Sequence, residues 1–193
     1  LMKTNVLDFV EKKVKGRARK KDTLTLDELK ILAATPTEGK EVRRAALFSC
    51  VTGLAFVDIK ALTWNKIRLE GCMMEVVRAK QQADNVTVSI PLNATAIALL
   101  GEAGIPTAKV FTLPSANGTN KTLKAWVERA GIDKKITYHN LRHSYGTNLI
   151  LNDVDVVTAS KLLGHATLMQ TNRYVDSAAE MKQKATDKIN IEL

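Results

Sequence analysis

Cysteine is scarce in this chain: Cys50 and Cys72 are the only two in 193 residues, far apart and in unrelated contexts. Such a pair sets up neither a disulfide framework nor a zinc site, and both read as small buried hydrophobes. Long apolar runs are missing as well. No stretch approaches the roughly 18 apolar residues of a spanning helix, and the opening residues hold no apolar segment of the signal-peptide kind. A membrane role is therefore not expected, and the expected setting is cytosolic. Acidic residues are in the minority, 20 Asp plus Glu against 29 Lys plus Arg, which leaves a formal net charge of +9. That imbalance argues for a polyanionic partner and says little about fold. Charge alone leaves DNA, RNA and anionic lipid open, with lipid the weakest of the three. No His, Cys, Asp and Glu cluster shows metal-ligand spacing, so neither metal nor cofactor is expected. Internal repeats and low-complexity tracts are absent too.

What remains suits a globular domain, because 193 residues with 45% hydrophobic content can bury a sizeable core. The first 22 residues stand apart. Lys12 to Lys21 is dense in lysine and arginine, and a block of like charge repels itself, staying solvated or binding nucleic acid. Residues 1–22 accordingly read as a basic linker or arm, with a frayed solubilising end as the other reading. Val6, Leu7, Phe9 and Val10 ahead of it look like the tail of a helix whose body lies elsewhere. Residues 23–193 read as one domain.

Within that domain Thr25-Leu26-Asp27-Glu28 has capping-box spacing and opens a helix to about Ala34. Val42, Ala45, Ala46, Leu47 and Phe48 mark a second helix over 41–51; Gly53 breaks it, and helical spacing resumes over 57–64. Met73 to Ala79 and Val86 to Pro91 read as strands joined by a polar turn at 81–85, the one convincing strand pair. Helical periodicity returns over 93–100, over 119–129 and from His139 to the end, while Pro106 and residues 114–118 read as loops. The expected class is mainly α with a small antiparallel β-sheet.

Chemistry concentrates late in the chain, in Tyr138-His139-Asn140-Leu141-Arg142-His143, then Leu163-Gly164-His165, then Arg173-Tyr174. On a helix His139 and Arg142 are i and i+3 and share a face. A guanidinium offers a rigid fork of donors to phosphate oxygens, imidazoles exchange protons near neutral pH, and a tyrosine hydroxyl can act as a covalent nucleophile. Each residue alone has a plainer explanation. A lone Tyr more often buries its ring and keeps its tip wet, a lone His is more often a satisfied core residue, and a lone Arg more often pairs at the surface. Their joint spacing argues for attack on a phosphodiester.

The ordered set of segments resembles the catalytic domain of the tyrosine recombinases, the phage integrase family, from about Thr25 to Asp187. Thr52-Gly53-Leu54 with Asp58-Ile59, Leu62 and Trp64 resembles the family's first box. Lys80, in a hairpin ending Ile90-Pro91-Leu92, resembles its lysine turn, and His139 to Ser144 its second box. Leu162-Leu163-Gly164-His165 and Tyr174, nine positions after His165, complete the order.

The resemblance implies that Tyr174 attacks a DNA phosphodiester, leaving a 3′-phosphotyrosyl link and a 5′-hydroxyl, without metal or external energy. A phenol of ordinary pKa near ~10 is both a usable nucleophile and a tolerable leaving group. The resemblance also implies that Arg142 holds the non-bridging oxygens and that Lys80 protonates the departing 5′-oxygen. His139 and His165 would serve as proton carrier and phosphate donor. His143 reads as a helix-packing or hydrogen-bonding residue, since it adjoins Arg142 and points elsewhere on a helix. The implied partners are double-stranded DNA, a homotetramer on paired sites and accessory DNA-bending proteins, in a bacterial cytoplasm at the nucleoid. Residues 1–22 would then end a missing N-terminal core-binding domain. The segment from Ala178 onward would dock on a neighbouring protomer or pack in cis.

One position departs from the pattern. Where the family's first box carries an arginine after Thr-Gly-Leu, this chain has Ala55, so one of two clamping guanidiniums is absent. Either the chemistry is lost, or another cation substitutes, or the segments are misaligned; Asp58, Ile59, Leu62 and Trp64 all fall where expected, which speaks against misalignment. Arg44, eleven residues earlier, would sit about 16 Å away along a helix, too far for a swap. Arg78 lies two residues before Lys80 on an extended segment, shares its face at about 7 Å, and is the expected substitute. Two alternatives to a recombinase or integrase follow: a DNA-binding homologue without catalysis, and a type IB topoisomerase-like enzyme that relaxes supercoils without exchanging partners.

Overall fold

The structure, a computed structural model, describes residues 22–77 and 87–177. The basic arm, the hairpin turn with Arg78 and Lys80, and the segment from Ala178 onward lie outside the described residues. Helices α1 (Leu26–Ala34), α2 (Lys40–Thr52) and α3 (Phe56–Ala61) come first, followed by strands β1 (Ile67–Arg68), β2 (Met73–Val77) and β3 (Thr87–Pro91). Helices α4 (Ala94–Leu100), α5 (Ala116–Arg129), α6 (Tyr138–Leu151), α7 (Val156–Leu163) and α8 (Met169–Ser177) complete the described chain. The fold is mostly helical with a three-stranded antiparallel sheet in the order β1-β2-β3, the class the sequence suggests. Among the described residues no helix is long and apolar enough to cross a membrane.

Local chemistry explains most boundaries. The Thr25 hydroxyl accepts from the Glu28 N–H at 3.2 Å while the Glu28 carboxylate accepts from the Thr25 N–H at 2.7 Å, the reciprocal cap that the sequence spacing predicts. Helix α2 ends at Gly53 in the left-handed region (φ 68°), where a side chain would be strained. The predicted 57–64 helix stops earlier, at Ala61. Thr63 is extended and pairs with Lys109, and the Val110 N–H donates to the Leu62 carbonyl at 3.1 Å. Long-range pairing thus overrides a local helical preference. Helix α5 begins at Ala116, inside residues 114–118 that read as loop, because Ser115 caps it by accepting from the Gly118 N–H at 3.2 Å.

Helical periodicity from His139 onward conceals three separate helices. Asn152 caps α6, Asp153 takes a positive φ of 63°, Asp155 accepts from the N–H groups of Val157 and Thr158 to open α7, and Gly164 (φ 60°) closes it. The short β1 strand escaped the sequence reading. It pairs Ile67 with Met74 and Arg68 with Met73, too brief a run to show alternation. Cys72 also departs from expectation: Cys50 is buried, whereas Cys72 is exposed with φ 48° in the turn between β1 and β2. Burial pushes the Cys50 thiol up to about 12, which leaves it an inert packing group.

The main core gathers Phe48, Leu54, Ile59, Met74, Ile90, Leu100, Leu123, Trp126 and Leu141 around α2, and a smaller cluster joins Ile150, Ala159, Leu163 and Tyr174 across α6, α7 and α8. Helix α6 belongs to both and has no fully solvent-facing side, which is why it carries buried polar residues. Asn140, Ser144 and Asn148, spaced i, i+4, i+8, clasp the segment before α1. The Asn140 amide donates to the Asp22 carbonyl at 2.8 Å, the Ser144 hydroxyl accepts from the Leu24 N–H at 2.8 Å, and the Asn148 amide donates to the Leu24 carbonyl at 3.0 Å. All three of these side chains are hydrogen-bonded, so the stripe fixes the position of α6 at little desolvation cost. Arg44 belongs to this scaffold: its guanidinium donates to the carbonyls of Leu100 (3.3 Å) and Val110 (2.5 Å) and lies 4.8 Å from the centre of the Phe111 ring.

Candidate active site

Helix α6 sorts its chemistry by face. Arg142 points toward the ends of α2 and α7, where Nη1 donates to the Gly53 carbonyl at 2.6 Å and Nη2 to the Leu163 carbonyl at 2.5 Å. Both acceptors lie at helix C-termini, where unpaired carbonyls carry partial negative charge, so one cation compensates two helix dipoles. The guanidinium is thereby fixed in place and orientation. Gly53 admits this geometry: a Cβ there would lie 2.5 Å from the Tyr145 ring. Ala55, the N-cap of α3, is two residues from the gripped Gly53 carbonyl, so the position where the family pattern carries arginine borders the Arg142 anchorage.

The next face of α6 carries His139, His143, Gly146 and Ile150, at the i, i+4, i+7 and i+11 spacing that makes one stripe. Helix α8 lies against it. The Tyr174 hydroxyl is 3.1 Å from His143 Nδ1, and His143 Nε2 is 2.9 Å from His139 Nε2. The two imidazoles meet edge to face at 4.4 Å, with His143 buried and His139 exposed. A short chain of polar atoms therefore runs from a phenol in the core to an imidazole at the surface.

Tyr174 itself is only 3% exposed. Its ring stacks on His165 at 6.0 Å and 12°, and it sits over Gly146 so closely that a Cβ there would fall 2.8 Å from two ring carbons. His165 follows the left-handed Gly164 and is oriented by a 2.7 Å contact between its Nδ1 and the buried Thr171 hydroxyl. Arg142, His139, His165 and Tyr174 are thus gathered where α6, α8 and the end of α7 meet. Arg78 and Lys80 lie outside the described residues. Among those residues no group of three or more His, Cys, Asp or Glu side chains is assembled as a metal site requires.

The phage integrase family model matches residues 22–181. The chain belongs to the phage integrase family. A tyrosine recombinase of Thermosipho africanus is 29% identical over 184 residues, covering 90% of this chain and 64% of the relative. The XerA recombinase structure shares the fold with a TM-score of 0.73 at 19% identity, over 93% of this chain and 68% of XerA. XerH bound to a difH substrate before cleavage aligns with a TM-score of 0.68 at 18% identity, over 90% of this chain and 54% of XerH. This integrase-family chain spans less than two thirds of the Thermosipho africanus relative and of an XerC recombinase from Pelobacter propionicus.

Three contributors to the candidate site escaped the sequence reading. His143 is the buried, hydrogen-bonded residue facing away from Arg142 that the sequence suggests, but its place beside Tyr174 is not legible there; the i+4 relation to His139 that sets both rings in line was the available signal. Gly146 was also legible in principle. A glycine inside a helix costs about 1 kcal/mol relative to alanine, so it needs a packing reason, here the Tyr174 ring. Thr171 carried no signal, because its contact with His165 depends on the turn between α7 and α8.

Gly146 yields a prediction of opposite signs. Gly146→Ala raises helix propensity by about 1 kcal/mol, yet its Cβ must displace the Tyr174 ring. The variant is expected to gain no thermal stability and to place Tyr174 wrongly, with any Tyr174-dependent DNA adduct falling at least tenfold; melting curves and adduct yield test it together.

Proposed function

We propose that this chain is the catalytic portion of a site-specific DNA recombinase or integrase that cleaves and rejoins strands through Tyr174. The observation carrying the reading is that Tyr174, His139, His165 and the anchored Arg142, on neighbouring faces of α6, are gathered where α6, α8 and the end of α7 meet. The phenolic oxygen would form a bond to phosphorus as the 5′-oxygen leaves, so the energy of the broken phosphodiester is kept in a 3′-phosphotyrosine. A partner strand's 5′-hydroxyl then attacks that bond and releases the phenol. Arg142 supplies positive charge to the phosphorane, an electrostatic role that is often the largest catalytic contribution.

On sequence grounds the reading keeps Lys80 as the acid for the leaving oxygen and Arg78 as the replacement for the guanidinium absent at Ala55. Double-stranded DNA is the substrate, in keeping with the net charge of +9 and with the DNA-bound state of the XerH relative. A homotetramer on paired sites, DNA-bending accessory proteins, a place at the bacterial nucleoid and a core-binding domain ahead of residues 1–22 complete the proposal.

The test is covalent trapping by the full-length protein. A pool of duplexes randomised around a nick lets the short cleaved strand diffuse away, so a 3′-phosphotyrosyl adduct accumulates and survives detergent. Adduct formation is the expected result, with exchange of strands when a second duplex is added. Retention of DNA without adduct would instead support the binding-only reading that Ala55 favours, and relaxation of supercoils without exchange would support a topoisomerase.

A further inference from the structure

His143 is the group nearest to the Tyr174 oxygen for which the strand-transfer reading has no use. It is buried, 5% exposed, at the centre of a three-member contact: 3.1 Å from the phenol through Nδ1 and 2.9 Å from His139 through Nε2. Two ring nitrogens at that separation require one to donate and the other to accept. Two of the arrangements that keep both contacts differ in whether the phenol still holds its proton. In the first, the Tyr174 hydroxyl donates to His143 Nδ1, and His143 Nε2–H donates to His139 Nε2. In the second, His143 Nδ1–H donates to a phenolate oxygen, and His139 Nε2–H donates to His143 Nε2. These arrangements differ by the shift of one proton at each contact.

We propose that His143 is the base that accepts the Tyr174 proton, passing a proton on to His139, so that the two imidazoles work as a relay between buried nucleophile and exposed surface. The inference rests on the strand-transfer reading of Tyr174. In the step, the phenolic O–H bond breaks and a His143 Nδ1–H bond forms, while the His143 Nε2–H bond breaks and a His139 Nε2–H bond forms. Neutral phenol and two neutral imidazoles become phenolate, neutral His143 and His139 imidazolium. The phenolate's electron pair then forms the bond to phosphorus. On reversal, as the phenol leaves, His139 returns the proton along the same path.

Position and burial make this arrangement useful. A phenol of ordinary pKa near ~10 is ionised to about one part in a thousand at neutral pH, and Tyr174 at 3% exposure has little access to bulk base. His143 reaches the oxygen, and His139 reaches the solvent-facing side, where a cation is favoured beside an incoming phosphate. The titratable and charged groups around the relay include His139 from α6, with Arg142 next to His143 in that helix, Tyr174 from α8 and His165 from the turn after α7.

The test measures the rate of covalent adduct formation against pH, using nicked duplexes recovered from the trapping pool. His143→Gln keeps size and hydrogen bonding but cannot carry a proton. Its rate at pH 7 is expected to fall about 100-fold, within the range for general base catalysis. The rate should then climb nearly tenfold per pH unit up to pH 9 as hydroxide takes over, whereas the wild type levels off once imidazole is neutral. His139→Gln, at an exposed position with little packing at stake, should show the same steep profile with a smaller loss. A folded His143→Gln that keeps the wild-type rate or profile, or cleaves faster, overturns the relay. So does a wild-type profile in His139→Gln should the His143 variant fail to fold. If the wild type forms no adduct at all, the strand-transfer reading itself falls and takes the relay with it.

Discussion

Tyr174→Phe is expected to abolish the detergent-resistant DNA adduct entirely while leaving the fold in place. A phenyl ring has no oxygen to bond to phosphorus, so the loss is complete rather than graded. The ring contacts survive the change: stacking on His165 at 6.0 Å and seating over Gly146 involve carbon atoms alone. The hydrogen bond to His143 goes, a loss of about 1 kcal/mol that a melting curve should register as a shift of a few degrees. The other two tyrosines are poor replacements. Tyr138 is buried and its hydroxyl donates to the Ala45 carbonyl at 2.8 Å, and burial, together with the neighbouring Cys50, pushes its phenol well above the ordinary value. Tyr145 packs against Gly53. A variant that still formed adduct at the wild-type rate would place the nucleophile elsewhere and remove the basis of the proposed function.

Arg142→Ala should cost both stability and catalysis, which makes it the more demanding experiment. Without the guanidinium, the carbonyls of Gly53 and Leu163 lose their donors at buried helix ends. Each unsatisfied buried group costs about 1–3 kcal/mol, and the favourable charge at two helix C-termini disappears as well. A fall in melting temperature of at least several degrees is expected. Adduct formation at a temperature where the variant remains folded should drop about 1,000-fold, in line with removal of a single donor aimed at developing negative charge. Arg142→Lys separates the two effects. Its ammonium restores charge but not the planar fork that spans two carbonyls, so stability should recover in part and cleavage far less. Unchanged adduct formation by a folded Arg142→Ala would remove Arg142 from the chemistry and leave it a structural clamp.

Much of this architecture can be read from local signals, and the failures are informative. The Thr25–Glu28 cap, the end of α2 at Gly53 and the β2–β3 pairing each depend on residues close in sequence or on simple alternation. The 57–64 helix ran too far because Thr63 and Leu62 are drawn into contacts with residues 109 and 110, which local periodicity does not register. Cys72 was misplaced for a related reason: an average tendency to burial yields to a tight turn. Strand β1, two residues long, exists through its pairing with β2.

The residue types of the candidate site, and their order along the chain, were fixed by sequence, because a phosphodiester transfer calls for a nucleophile, cations and proton carriers whatever scaffold holds them. Tertiary structure decided their relations. It turned Arg142 toward two helix ends, seated the Tyr174 ring on a glycine and joined His143 to both Tyr174 and His139. The His139–His143 spacing is local to one helix, but the contacts that give it meaning come from α2, α7 and α8. Hydrogen-bond geometry and close packing act over a few ångströms between residues as far as 89 apart at the site and 124 apart in the scaffold, and such distances are set only when the chain folds.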